Sequence, residues 1–78
     1  MHPKTWGLRL GEKIRARIEE FQVGDEMLMS YQGHLFRVKN TSSQKFQVGE
    51  WLDLVFIKDN PINFILYSSY RAQLERFA

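Results

Sequence analysis

The chain has no cysteine, only two prolines and two histidines, and no long apolar run. Without cysteine neither a disulfide nor a zinc knuckle can form. The longest apolar runs, Leu54-Val55-Phe56-Ile57 and Phe64-Ile65-Leu66-Tyr67, fall far short of the roughly 18 residues of a membrane span. No membrane partner is therefore expected. His2 lies near the N-terminus and His34 in a turn segment, Gln32-Gly33-His34. Neither has a second ligand at metal spacing, so no metal and no cofactor is expected. The five glycines stand singly, which excludes a glycine-rich phosphate loop. Ser42, Ser43, Ser68 and Ser69 fit turns and caps, and His34 is the only interior imidazole to serve them as a base. The acidic pairs Glu19-Glu20 and Asp25-Glu26 lie beside turns, where carboxylates are ordinarily solvated. An enzyme is not expected. Met-His-Pro-Lys-Thr-Trp lacks the apolar centre of a secretory leader, so a cytoplasmic location is the expectation.

Seventy-eight residues allow one domain with a core of marginal size. Eleven basic and nine acidic residues leave a net charge of +2, although the sequence pI is about 9.2. In so short a chain a small excess of Lys and Arg moves the pI a long way. The placement of the charges therefore matters more than their sum.

Strand patterning dominates what is there. From 8 to 18, Leu8, Leu10, Ile14, Ala16 and Ile18 occupy even positions, and Arg9, Lys13, Arg15 and Arg17 odd ones. A period of two predicts a long strand with one apolar and one basic face. Gly11, with Glu12 interrupting the apolar row, marks a bulge or bend. A helix over 12–22 competes, because Glu, Lys, Arg and Ala favour helices, but the alternation runs further than the helical spacing. A hairpin follows over 27–31 and 35–39, then a polar loop over 40–45. A second hairpin over 51–58 and 62–67 turns at Asp59-Asn60-Pro61.

Phe-Gln-Val-Gly followed by an acid occurs at 21–25 and again at 46–50, before each hairpin. It reads as a recurring strand-start signal or as an internal duplication. Aligning the copies sets Met27, Met29 and Tyr31 against Leu52, Leu54 and Phe56, and Phe36 and Val38 against Phe64 and Leu66. Those residues, with Ile14, Ala16 and Ile18, form the predicted core.

The last two strands are also apolar on their other face, at Trp51, Val55, Ile57, Ile65 and Tyr67. Such a face needs a cover. Tyr70, Leu74 and Phe77 recur at helical spacing behind the candidate caps Ser68 and Ser69. A helix of about ten residues does not persist alone. It docks on its own sheet or on a second copy of the chain, and these eight apolar residues are the candidate interface. The division is an N-terminal arm (1–7), a β-barrel domain (8–67) and an amphipathic C-terminal helix (68–78).

Arg9, Lys13, Arg15 and Arg17 share one face of the first strand, and Arg37 and Lys39 lie outward of Phe36 and Val38. Six of the eleven basic residues then fall on one sheet surface, with Leu28, Ser30 and Gln32 between them, while Asp25, Glu26, Glu50 and Asp59 fall at turns. A bent first strand, a hairpin, a loop and a second hairpin resemble the OB fold. The Val-Gly-Glu cadence before the fourth strand and the closing Phe64-x-Leu66 look like the end of ribosomal-type OB modules. One-domain initiation factors and cold-shock barrels are similar in length. The expected fold class is all-β: a small five-stranded OB- or SH3-like barrel with a short C-terminal helix. The resemblance implies binding of RNA or single-stranded DNA across the first three strands, with cations on phosphate and aromatics stacked on bases. The six cations are the candidate nucleic-acid contacts, and a protein partner or homodimer on the apolar face is the alternative. No aromatic is in outward phase on those three strands, so the basic face would hold backbone phosphate only, with steep salt dependence, unless a register slip of one residue exposes Tyr31 and Phe36. Arg9-x-x-x-Lys13 and Asn40-Thr41-Ser42-Ser43-Gln44-Lys45 are similar to two segments of the PilZ cyclic-dinucleotide receptors. Each departs at its last position, where Lys replaces the family's Arg and its Gly.

Overall fold

A computed structural model describes residues 7–59 and 61–76, with side chains followed to residue 72. The elements are β1 (Lys13–Phe21), β2 (Glu26–Tyr31), β3 (His34–Lys39), β4 (Trp51–Lys58), β5 (Asn63–Leu66) and α1 (Tyr67–Arg76). All sheet neighbours are antiparallel, in the order β3-β2-β1-β4-β5. After the 40–50 loop, β4 returns to lie beside β1, which is the 4-1-2-3 order of a Greek key. β5 extends the sheet beyond β4 and curls round to approach β3. The molecule is thus a partly open all-β barrel of OB-like kind, with a short C-terminal helix.

β1 begins at Lys13 rather than at Leu8, which corrects the expected strand. Residues 9–12 form a turn, in which Glu12 N donates to Arg9 O and Arg9 N to Glu12 Oε1, both at 3.0 Å. Gly11 takes a φ of +88° there, in the left-handed region where a Cβ is strained. Leu8 still reaches the core, whereas Leu10 is exposed. At its other end β1 runs past Ile18 to Phe21. Ile18 pairs with Met29 but Glu20 with Leu28, so Glu19 is the extra residue of a bulge.

Ile14, Ala16 and Ile18 meet Met27 and Met29, Phe36 and Val38, Leu54 and Phe56, and Phe64 and Leu66 in one buried cluster. Tyr31 and Leu52 pack against it partly buried, so the core predicted from the alternation is the core observed. Aromatic packing closes the open side of the barrel. The Phe36 and Phe64 ring centroids are 4.6 Å apart, and those of Phe56 and Phe64 5.5 Å. Full burial of such a side chain contributes roughly 1.5–3 kcal/mol. A domain of this size has only roughly 4–12 kcal/mol of net stability, so this closure is a large share of it.

α1 follows β5 without a linker and packs against β4 and β5. It therefore begins at Tyr67, before the expected caps. Ser69 lies in its first turn, where its Oγ is 3.2 Å from Thr41 Oγ1 in the β3–β4 loop. The Tyr67 ring receives Lys13 Nζ 4.6 Å from its centroid. Lys13 stands opposite Val55, and Val55 opposite Ile65, so the start of the helix meets the outer face of the sheet here.

The β2–β3 turn consists of Gln32 and Gly33, with φ of +50° and +83°. Positive φ at both positions defines a type I′ hairpin, which Asn-Gly suits far better than Gln-Gly. Gln32→Asn is expected to stabilise the chain by about 0.5–1 kcal/mol, and Gln32→Val to destabilise it by at least as much. Urea unfolding checks both; equal midpoints for the three proteins would contradict the turn assignment.

Candidate binding face

The outer surface of β1–β4 carries the charges, and the ladder register fixes their neighbours. Arg17 pairs with Ser30 on β2 and Trp51 on β4, and Ser30 in turn with Leu35 on β3. One transverse row therefore reads Leu35, Ser30, Arg17, Trp51. Arg15 lies opposite Asp53, and Leu28 stands in register with both Arg37 and Glu20. Lys39 lies opposite Glu26.

Of the six candidate cations, five are on this surface. Arg9 is not, because it belongs to the turn before β1. The other five do not form a surface of one sign. Arg15 Nε donates to Asp53 Oδ1 at 3.1 Å. Arg17 Nη1 donates to both carboxylate oxygens of Glu19, at 2.9 and 3.0 Å, and Ser30 Oγ donates to Glu19 Oε2 at 2.6 Å. Arg37 Nε donates to Gln22 Oε1 at 2.8 Å, and Lys13 sits over Tyr67. The expectation that acids keep to the turns is corrected: Glu19, Glu20 and Asp53 share the sheet surface with the cations. Asp53 and Glu19 are in phase with Trp51 and Arg17, so alternation alone could have found them. Glu20 faces outward only because of the bulge, which no residue type announces.

Arg17 is held from several sides. The β1–β4 ladder continues beyond Trp51, since Gly49 N donates to Ile18 O at 2.7 Å and Ile18 N to Glu50 O at 2.9 Å. This brings Gly49 under the guanidinium, where a Cβ would stand 3.6 Å from Nη2. Such a salt bridge, well exposed to solvent, adds little to stability. Its effect is to orient the side chain.

Two large apolar side chains flank this network. Trp51 is 58% exposed and Leu35 is 62% exposed. Trp51 is the aromatic that the first three strands lack, supplied from β4. The candidate apolar interface is otherwise largely covered. Val55 is buried, Ile65 on β5 and Tyr67 and Tyr70 on α1 are partly buried, and Ile57 is exposed. The side chain of Leu74 and all of Phe77 lie outside the described residues. The Asn40 segment does not pair with the Arg9 turn. Asn40 Oδ1 accepts from Ser42 N and Oγ, and its Nδ2 donates to Gln44 O, all within its own loop. Among the described residues no group of His, Asp or Glu is placed to hold a metal ion, and no helix is long and apolar enough to cross a membrane.

The Ser30 hydroxyl and then the Arg17 guanidinium hold the Glu19 carboxyl below the usual carboxylate range. A depressed folded value means that the stabilisation is present above the unfolded value and lost as pH falls through the folded one. Ser30→Ala is expected to raise the Glu19 titration midpoint toward the ordinary range, as read by carboxyl NMR shifts. An unmoved midpoint would show that the hydroxyl does not bind the carboxylate. No protein-family model, curated protein or solved structure matches the chain.

Proposed function

We propose that the chain is a non-catalytic protein-binding module whose contact surface is the row Leu35, Ser30, Arg17 and Trp51. The observation that carries this is the exposed Trp51 beside an arginine already held by Glu19, whose carboxylate also accepts from Ser30. Trp and Arg are the residues most enriched at the energetic centres of protein interfaces, where burying them contributes most. Both stand on paired strands, so little conformational freedom is lost on contact. Exposed Leu35 widens the apolar area on the far side of Ser30. The interleaved charges suit a partner surface that is itself mixed. A phosphate chain would have to compete with Asp53 for Arg15 and with Glu19 for Arg17.

Single-stranded RNA or DNA is the second reading, favoured by one feature: a base stacked on Trp51 would lie next to Arg17. The two readings separate by experiment. Peptides selected from a random library against the folded chain are expected to lose about tenfold or more in affinity on Trp51→Ala, roughly 1.4 kcal/mol. Leu35→Ser is expected to weaken them less, and Val23→Ser, outside this row, hardly at all. Peptides that ignore both Trp51→Ala and Leu35→Ser would overturn the protein reading. So would an oligonucleotide that quenches Trp51 fluorescence in a Trp6→Phe background at about 50 mM salt, with affinity falling steeply as salt rises.

A further inference from the structure

A second surface lies at the end of the barrel where β1 finishes and β2 begins. A pocket of about 390 Å³ opens there, with Phe21, Met27 and Phe46 among its walls and Asp25, Glu26 and Lys45 among its charged groups. Both aromatic walls come from the recurring Phe-Gln-Val-Gly segment, which starts each hairpin and turns at a glycine with positive φ, +75° at Gly24 and +91° at Gly49. Phe21 remains half exposed, while Phe46 packs partly buried against the core. The opposite wall is preformed by the Asn40 loop. Asn40 uses its side-chain amide on Ser42 and Gln44, and its backbone N donates to Asp25 O at 2.7 Å.

The charges here differ from those on the outer face. Glu19 and Asp53 are each satisfied by a guanidinium, whereas neither Asp25 nor Glu26 has a side-chain hydrogen bond or ion pair among the described residues. Asp25 and Glu26 line the pocket with a single ammonium residue, Lys45, and two phenylalanines, and Lys39 lies opposite Glu26 in the ladder without an ion pair to it. An organic cation on an apolar stem complements that combination. The stem covers phenyl surface, while the head meets ring faces and carboxylates.

We infer that this open end of the barrel receives an arginine side chain presented by the partner protein. The inference rests on the protein-binding reading but uses a different surface. The guanidinium lies between Asp25 and Glu26, and its methylenes lie against Phe21 and Phe46. Arginine suits the site better than lysine, because its planar head binds a carboxylate with two parallel hydrogen bonds and also stacks on a ring.

The test is an NMR titration of the full chain with a capped Gly-Arg-Gly peptide, set against the neutral isostere capped Gly-citrulline-Gly and an acidic control, capped Gly-Glu-Gly. The arginine peptide is expected to saturate at about 1–10 mM, the range for one side chain in an open pocket. It should shift the amides of 24–27 and 40–46. The citrulline peptide should bind at least tenfold more weakly, and the Asp25→Asn/Glu26→Gln double variant should lose the preference for arginine. Both carboxylates are exposed, so the fold should tolerate their amides. If the double variant does not fold, the arginine–citrulline comparison on the unaltered chain still decides. Equal binding of citrulline, preferred binding of the glutamate peptide, or no saturable shift at these residues would each overturn the inference. Trp51→Ala should leave this titration unchanged, so failure here and failure of the Trp51 surface are separate results.

Discussion

Strand β1 forms ladders along both of its edges, with β2 on one side and β4 on the other, and the rest of the arrangement follows from that double pairing. A strand paired on both edges lies in the middle of its sheet, so its inward side chains are sealed and its outward ones are central on the surface. Inward are Ile14, Ala16 and Ile18, all buried. Small Ala16 between two isoleucines fits the taper of a small curled barrel, where large and small residues alternate. The outer strands then bring Phe36 and Phe64 into contact, and a barrel not closed by backbone hydrogen bonds is closed by aromatic rings.

The same geometry governs the charges. Lys13, Arg15 and Arg17 project from one face of β1 on alternate residues. Like charges that close on a sheet repel, and their neighbours relieve the repulsion. Asp53 on β4 meets Arg15, Glu19 on β1 itself meets Arg17, and the Tyr67 ring lies beneath the ammonium of Lys13. A chain with a pI near 9.2 thus presents a central surface of mixed sign. Beside these pairs the large exposed apolar side chains are Trp51 and Leu35, at the two ends of one row, while exposed Lys39 stands opposite Glu26 without an ion pair to it. That balance favours a protein surface as partner over a phosphate chain.

The sequence made the core legible, because a period of two with one buried face leaves little choice of which residues point inward. The same periodicity misled at the start of β1. It carries Leu8 and Leu10 into a strand, whereas the left-handed backbone at Gly11 ends the ladder there. The cations were found by phase, but their partners were not. Two of those partners, Asp53 and Glu19, were readable from the same alternation that located the cations. Glu20 was not, since a bulge shifts the phase without any signature in residue type. The pocket at the end of the barrel was legible only as a repeated motif. Its two phenylalanines lie 25 positions apart in the chain and meet only when β2 and β4 flank β1.

The claim that Arg15 and Arg17 are paired in place by Asp53 and Glu19 is tested most directly by unfolding free energy as a function of salt. Urea unfolding at neutral pH in about 0.05 to 0.5 M KCl spans a fall in screening length from about 14 to about 4 Å. If the pairs are attractive, stability falls as salt rises, and a Glu19→Gln/Asp53→Asn variant, in which Arg15 and Arg17 lose their carboxylates, gains stability instead. A wild-type chain that becomes more stable as salt screens its surface would show an uncompensated basic face, and would contradict this account.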